Sequence, residues 1–136
     1  MGALAALLAV GCGVLVAPQP GAPATDTSVA RGAVLYAAHC QVCHGDREGA
    51  GGLPGAPVHG PDGHTWHHPD RWLIDVVLNG SGEMGDMMRR MMGIPPETPR
   101  MPAWRGTLSE DEVRAILALI KSWWTPEQRA IQERAR

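Results

Sequence analysis

The chain has no phenylalanine, one tyrosine, and a single lysine among its 12 basic residues. With 14 acidic residues against those 12, the formal net charge is -2, which excludes the strongly basic surface of a nucleic-acid binder. Three cysteines are too few for a disulfide scaffold, so their spacing carries more than their number. No stretch alternates apolar and polar residues convincingly enough to read as a strand, and no internal repeat is evident. What is plentiful is glycine (17) and proline (12), with apolar residues at 44%. That composition excludes a disordered polar chain. It predicts a loop-rich domain of short helices, and 136 residues is about one domain's worth.

Residues 1–24 carry no charged side chain. Ala3 to Ala17 is apolar and helical in composition, then Pro18-Gln19-Pro20-Gly21 breaks it. The run is short of the roughly 20 residues that span a bilayer. It suits the apolar region of a secretory signal, with Ala22-Pro23-Ala24 as a small-residue cleavage site, although no Lys or Arg precedes it. A second reading uses Cys12: Ala9-Val10-Gly11-Cys12 resembles a weak lipobox, which would make Cys12 a lipidated N-terminus. A third is an uncleaved anchor. Each predicts export, to the periplasm or to a lipid anchor on the outer side of the inner membrane. Residues 1–24 are thus expected to be a signal peptide and 25–27 a linker at the end of a Pro- and Ala-rich tether.

From Ser28, a plausible N-cap, Val29, Ala33, Val34, Tyr36 and Ala37 predict a helix ending at Cys40. Gly45 to Gly63 reads as loop. Pro69 can open a helix carrying Trp72, Leu73, Val76 and Val77, stopped by Asn79-Gly80. Pro95, Pro96, Pro99 and Pro102 stiffen an extended segment. The strongest pattern is Glu110 to Trp124. There Ser109 and Glu112 form a capping box, and Val113, Ile116, Leu117, Ile120 and Trp124 make one apolar face. Residues 125–136 read as a short polar helical extension. The fold class is all-α.

Cys40-Gln41-Val42-Cys43-His44 is C-x-x-C-H, the pattern of c-type haem attachment. Two thiols three residues apart at a helix end can each add to one haem vinyl group, and the next residue then lies under the iron. The tether would make haem part of a core that is marginal by itself at this size. Three other chemistries use C-x-x-C. A zinc site needs a second pair of ligands, which His64, His67 and His68 could supply. A thioredoxin-like pair needs a βαβ pattern that is missing. A structural disulfide is the third. For a second axial ligand the candidate is Met101, held extended in Pro99-Arg100-Met101-Pro102-Ala103-Trp104, since Met with His is the axial pair that raises a cytochrome's potential. Packing in the core is the other role open to Met101.

Cys40-Gln41-Val42-Cys43-His44-Gly45, the Gly/Pro loop, Met101-Pro102-Ala103-Trp104 and the C-terminal amphipathic helix together resemble a class I c-type cytochrome, mono-haem and soluble, over about residues 28–124. The resemblance implies short helices wrapped around one covalent haem c. Cys40 and Cys43 would be its thioether anchors, and His44 and Met101 its axial ligands. It also implies that the first and last helices cross through Gly32, Tyr36 and Trp123 or Trp124. Pro54 is expected to orient His44 through its carbonyl.

The implied function is a one-electron carrier in an exported respiratory or redox chain, an electron-transfer protein rather than an enzyme. Its redox partners would be transient, and the N-terminus could serve as a membrane tether. Two features depart from the family. His64-Thr65-Trp66-His67-His68 is richer in histidine than required. It reads as a solvated loop whose Trp66 covers the haem edge, while one of these histidines, or His59, could replace Met101. Met84, Met87, Met88, Met91 and Met92 share one helix face. They are expected to pack on the haem crevice. The alternative is a haem-bearing copper-handling protein, because soft thioethers select Cu(I).

Overall fold

A computed structural model describes residues 26–135. The expected signal peptide, the lipobox reading of Cys12 and the start of the expected linker fall outside the described residues. Six α-helices and one 3-10 turn make up the regular structure among those described: α1 (Asp26–His39), α2 (Gln41–His44), the turn at Thr65–His67, α3 (Asp70–Asn79), α4 (Gly82–Met91), α5 (Glu110–Trp123) and α6 (Pro126–Arg134). The fold is all-α, as the sequence predicts. Among the described residues no helix is long and apolar enough to cross a membrane.

The molecule is organised by the crossing of α1 and α5. A Cβ added at Gly32 would stand 2.1 Å from the backbone oxygen of Ala115 and 3.2 Å from the Leu119 Cβ. The two backbones therefore touch, and only glycine permits it. Tyr36, one turn further on, meets the Trp123 ring edge-on at 5.1 Å. Its hydroxyl donates to the Gly45 carbonyl at 3.0 Å. Trp123, not Trp124, is thus the aromatic partner of Tyr36. Trp124 is buried elsewhere, its indole N–H donating to the His59 carbonyl at 2.8 Å.

Helix α5 forms as its pattern predicts. Ser109 and Glu112 make the reciprocal capping box, and Val113, Ile116, Leu117 and Ile120 are all buried. Leu73, Ile74 and Leu78 of α3 complete the same core. Two expectations fail for α1. The helix begins at Asp26, so Ser28 lies inside it and two of the expected linker residues are helical. An acidic residue in the first turn complements the positive end of the helix dipole. The buried face also runs through Gly32, Tyr36 and on to Cys40, while Ala33, Val34 and Ala37 are exposed. Close backbone contact, rather than apolar side chains, decides which side of α1 faces in.

Helix α4 is turned outward. Gly85, Asp86 and Arg89 are its half-buried residues, and none of its methionines is buried. Arg89 donates to the Thr98 carbonyl at 2.7 Å, and Arg100 pairs with Asp86 at 2.7 Å. The polar side thus faces the proline segment, and the methionines lie on the other side of the helix. Helix α6 is less of an appendage than its polar sequence implies. Gln132 is buried, its amide donating to the Asp70 carboxylate and the His68 carbonyl, and Gln128 donates to the Pro61 carbonyl at 2.7 Å.

Gly32→Ala should lower the unfolding free energy by about 1–3 kcal/mol, the usual cost of overpacking. Ala33→Ser on the exposed side of α1 should stay within about 0.5 kcal/mol of the parent. Denaturant melts of both variants check the contrast.

Candidate functional site

The buried face of α1 delivers Cys40. Its N–H donates to the Tyr36 carbonyl at 2.9 Å, continuing the helical pattern, and its carbonyl accepts from Cys43 and His44 N–H at 3.1 and 3.0 Å. One tight turn therefore fixes all three residues of the motif. Cys40 is buried, Cys43 half-buried, and neither is in a disulfide. Burial, with the Cys43 thiol adding to it, pushes the Cys40 pKa up to about 11, so it holds its proton at neutral pH.

His44 is buried, and its Nδ1–H donates to the Pro57 carbonyl at 2.8 Å. The resemblance pointed to Pro54; the carbonyl that meets the ring belongs to Pro57. Both prolines stand in one Gly-rich loop, and the sequence does not mark where that loop turns back. The Leu53 N–H donates to the Cys43 carbonyl at 2.8 Å, and Ala56 N–H to the Leu53 carbonyl at 3.1 Å. That tight turn carries the chain past Pro54 before a proline carbonyl reaches the ring. Burial lowers the His44 pKa, opposed by the Pro57 bond, and the balance favours neutral imidazole. With Nδ1 committed, Nε2 carries the lone pair, the state a metal ligand requires.

His59, which no motif marks, packs its ring against that of His44. Its ring lies 4.2 Å from that of His44, tilted by 31°. Its Nδ1–H donates to the Thr65 hydroxyl at 2.9 Å, and that hydroxyl donates in turn to the Val58 carbonyl at 3.4 Å. Thr65 is buried, so this chain of bonds ties the Pro57–His59 segment to the 3-10 turn. The Trp124 indole holds the same segment from the end of α5.

Met101 is half-buried, in a segment whose main chain is fixed against α3. Trp104 and Arg105 N–H donate to the Val77 and Leu78 carbonyls at 3.1 and 2.9 Å, closing the open end of α3. Gly80, at φ +77°, stands so close that a Cβ there would lie 3.0 Å from the Met101 carbonyl oxygen. The Trp104 ring meets His39, the residue before Cys40, edge-on at 5.0 Å. The His64–His68 segment is held by ring stacking. Trp66 stacks on His67 at 3.5 Å and His68 on Trp72 at 4.2 Å, while the Trp66 indole donates to the Gly63 carbonyl at 2.8 Å. Among the described residues no three His, Cys, Asp or Glu side chains converge to hold a metal ion, so His64, His67 and His68 do not complete a zinc site with the cysteines.

Two unpaired thiols one turn apart, followed at once by an imidazole with one nitrogen committed, fit a covalently attached haem. The model of the family described as Cytochrome C oxidase, cbb3-type, subunit III matches residues 27–120. The chain belongs to that family. It is a c-type cytochrome domain, and the family implies covalently bound haem c and haem-based electron transfer. No curated protein and no solved structure matches the chain. The matched span of the cytochrome domain takes in the motif, the loop, Met101 and most of α5, and stops short of Trp123 and α6.

Folded His59 resists protonation: burial, then the neighbouring His44 and His64, lower its pKa. Unfolded histidine takes a proton near pH 6.5, so below that pH the unfolded chain binds more protons. Stability present above about 6.5 should therefore be lost as pH falls, by up to about 1.4 kcal/mol per pH unit for this group. Denaturant melts across that range should show the slope, and His59→Leu should flatten it.

Proposed function

We propose that the chain is a one-electron carrier of an exported respiratory or redox chain. It holds a single haem c through thioether bonds from Cys40 and Cys43, with His44 Nε2 and Met101 Sδ as the axial ligands. The observation that carries this reading is the His44 ring, buried, neutral and aimed by Pro57, one residue beyond two unpaired thiols on the same turn. Haem c, when bound, supplies an iron that accepts and returns one electron.

The residues around it do the rest. Cys40 and Cys43 fasten the group to the end of the face that α1 buries, so that binding and folding are coupled. Pro57 fixes the ring orientation and the tautomer of His44. Met101 is framed by prolines, by the α3 carbonyls and by Gly80, which suits a ligand whose placement must be accurate. A thioether and an imidazole as the protein ligands would favour the reduced state and raise the potential. With His44 and Met101 both holding the group, the chain would leave no position open to a substrate.

The family's description names an oxidase subunit, and a redox partner complex is the natural setting for this domain. Donor and acceptor are proposed to dock transiently, over the small interfaces usual for redox encounters. A net charge of -2 gives no strong sign to that steering. Export rests on residues 1–24, as a cleaved signal or as a lipid at Cys12.

Colour should stay with the polypeptide after acid-acetone extraction, and haem that extracts freely overturns the covalent assignment. Cys40→Ala or Cys43→Ala should lose most of the holoprotein. Met101→Ala should lower the reduction potential strongly and let carbon monoxide bind the reduced protein. If Met101→Ala instead keeps the spectrum of the parent, the axial ligand is another residue. Optical spectra and potentiometric titration decide it.

A further inference from the structure

Helix α4 reverses the usual amphipathic arrangement. In a helix lying on a domain, the apolar stripe faces inward and the charges face water. Here Asp86 and Arg89 are the half-buried positions, tied down by Arg100 and by the Thr98 carbonyl. The methionine stripe points to solvent: Met84 is 66% exposed, Met87 42%, Met88 49%, Met91 75% and Met92 70%. Met91, Met92 and Met84 towards the ends of the stripe are the most exposed, Met87 and Met88 at its centre are about half exposed, and among the described residues none of the five is buried. The cavity of about 240 Å³ nearby lies on the polar side of the helix, lined by Asp86, Arg89 and Arg90 together with Ile94, Pro96 and Arg100 of the segment that follows. The stripe itself is a convex single-helix face with no groove.

The spacing is what a thioether site needs. Met88 is four residues after Met84 and three before Met91, so each is one helical turn from it. Met84 and Met91 are separated by about two turns, roughly 11 Å along the axis. Methionine side chains are long and unbranched with three rotatable bonds, so three sulfurs from these positions can meet above Met88. Met87 and Met92 flank the same point. Thioether sulfur is neutral and soft, carries no proton to lose, and selects Cu(I) over hard or borderline ions. Two basic residues lie between Met88 and Met91: Arg89 has its guanidinium drawn to the opposite side by the Thr98 and Pro99 carbonyls, and Arg90 lines the cavity on that side. Both positive charges are thereby kept off the stripe.

We propose that the outward face of α4 binds one Cu(I) ion through the sulfurs of Met84, Met88 and Met91. This is a second site, separate from the residues assigned to the haem, and it needs no contribution from Met101.

The test uses the full-length purified protein with its haem, carrying Cys12→Ser in every arm so that this thiol cannot compete. Cu(I) is presented anaerobically against a chromophoric Cu(I) chelator, and the chelator's absorbance is read. The parent should withdraw one Cu(I) per chain. The triple variant Met84→Leu, Met88→Leu, Met91→Leu should bind at least about tenfold more weakly, since leucine keeps volume and helix propensity but offers no ligand. Circular dichroism should confirm that its helix content is unchanged. Met101→Ala should leave the copper affinity as it is, whatever it does to the haem spectrum. The proposal is overturned if the chelator keeps all the Cu(I) in the presence of the parent, or if the triple variant competes as well as the parent does. It is also overturned if the stripe proves to capture a protein partner while leaving the Cu(I) with the chelator, or if Zn(II) binds the parent as tightly as Cu(I).

Discussion

The contact between the backbones of α1 and α5 at Gly32 is where the rest of the structure takes its bearings. Gly32, Tyr36 and Cys40 lie on one face of the same helical run, about one turn apart, so the position of the crossing sets the position of the first thiol. Tyr36 then does two things from the middle of that face. Its ring packs on Trp123 of α5, and its hydroxyl holds the carbonyl of Gly45, the residue after His44. The haem motif is thus clamped from before and after by one buried face. Burial of Tyr36 raises its pKa well above the ordinary range, so the phenol keeps its proton and remains a donor to Gly45. A larger side chain at Gly32 would not only cost packing energy; it would rotate or lift the face that ends in Cys40.

The loop between the motif and α3 contains no regular structure beyond a 3-10 turn, yet it carries the carbonyl that aims His44. Its order comes from outside. Trp124 at the end of α5 and Gln128 and Gln132 of α6 reach the carbonyls of His59, Pro61 and His68. Asp70, at the start of α3, meets both Gln132 and Lys121. A buried amide with both neighbours satisfied adds more specificity than hydrophobicity would, because each lost partner leaves an unpaired polar group. Helix α6, beyond the matched span of the family, therefore bears on the site through the loop, two steps removed from the imidazole.

The fold was legible where side-chain chemistry repeats at a helical period. Helix α5 has a capping box and an unbroken apolar face, and both appear where the pattern puts them. The C-x-x-C-H motif is legible for the same local reason, since its spacing is itself the geometry. Legibility fails where the deciding contact is between backbones or between distant loops. The apolar residues Ala33, Val34 and Ala37 point away from the core because Gly32, which contributes nothing to a hydrophobic pattern, sets the contact side. Pro54 and Pro57 are equivalent as sequence, and only the path of the loop past Leu53 separates them. His59 beside His44 is a tertiary accident as far as spacing is concerned, and α6 reads as polar because its buried residue is a glutamine.

Two sets of methionines follow the motif, and the structure treats them oppositely. Met101 stands in a segment whose backbone is bonded to the α3 carbonyls, crowded by Gly80 and followed by Trp104 against His39. The bonds to α3 and the crowding by Gly80 act on the main chain, so the side chain inherits a fixed origin and only its own few rotations remain. The α4 methionines have a fixed helix beneath them but open solvent around them, because it is the charged side of α4 that is bonded to the proline segment. The same proline segment thus holds α4 by its back and leads directly into Met101. A stiff backbone with a constrained side chain suits an axial ligand, which must hold one position through each change of iron charge. A stiff helix with several exposed, unbranched thioethers suits an ion that takes whichever sulfurs converge on it.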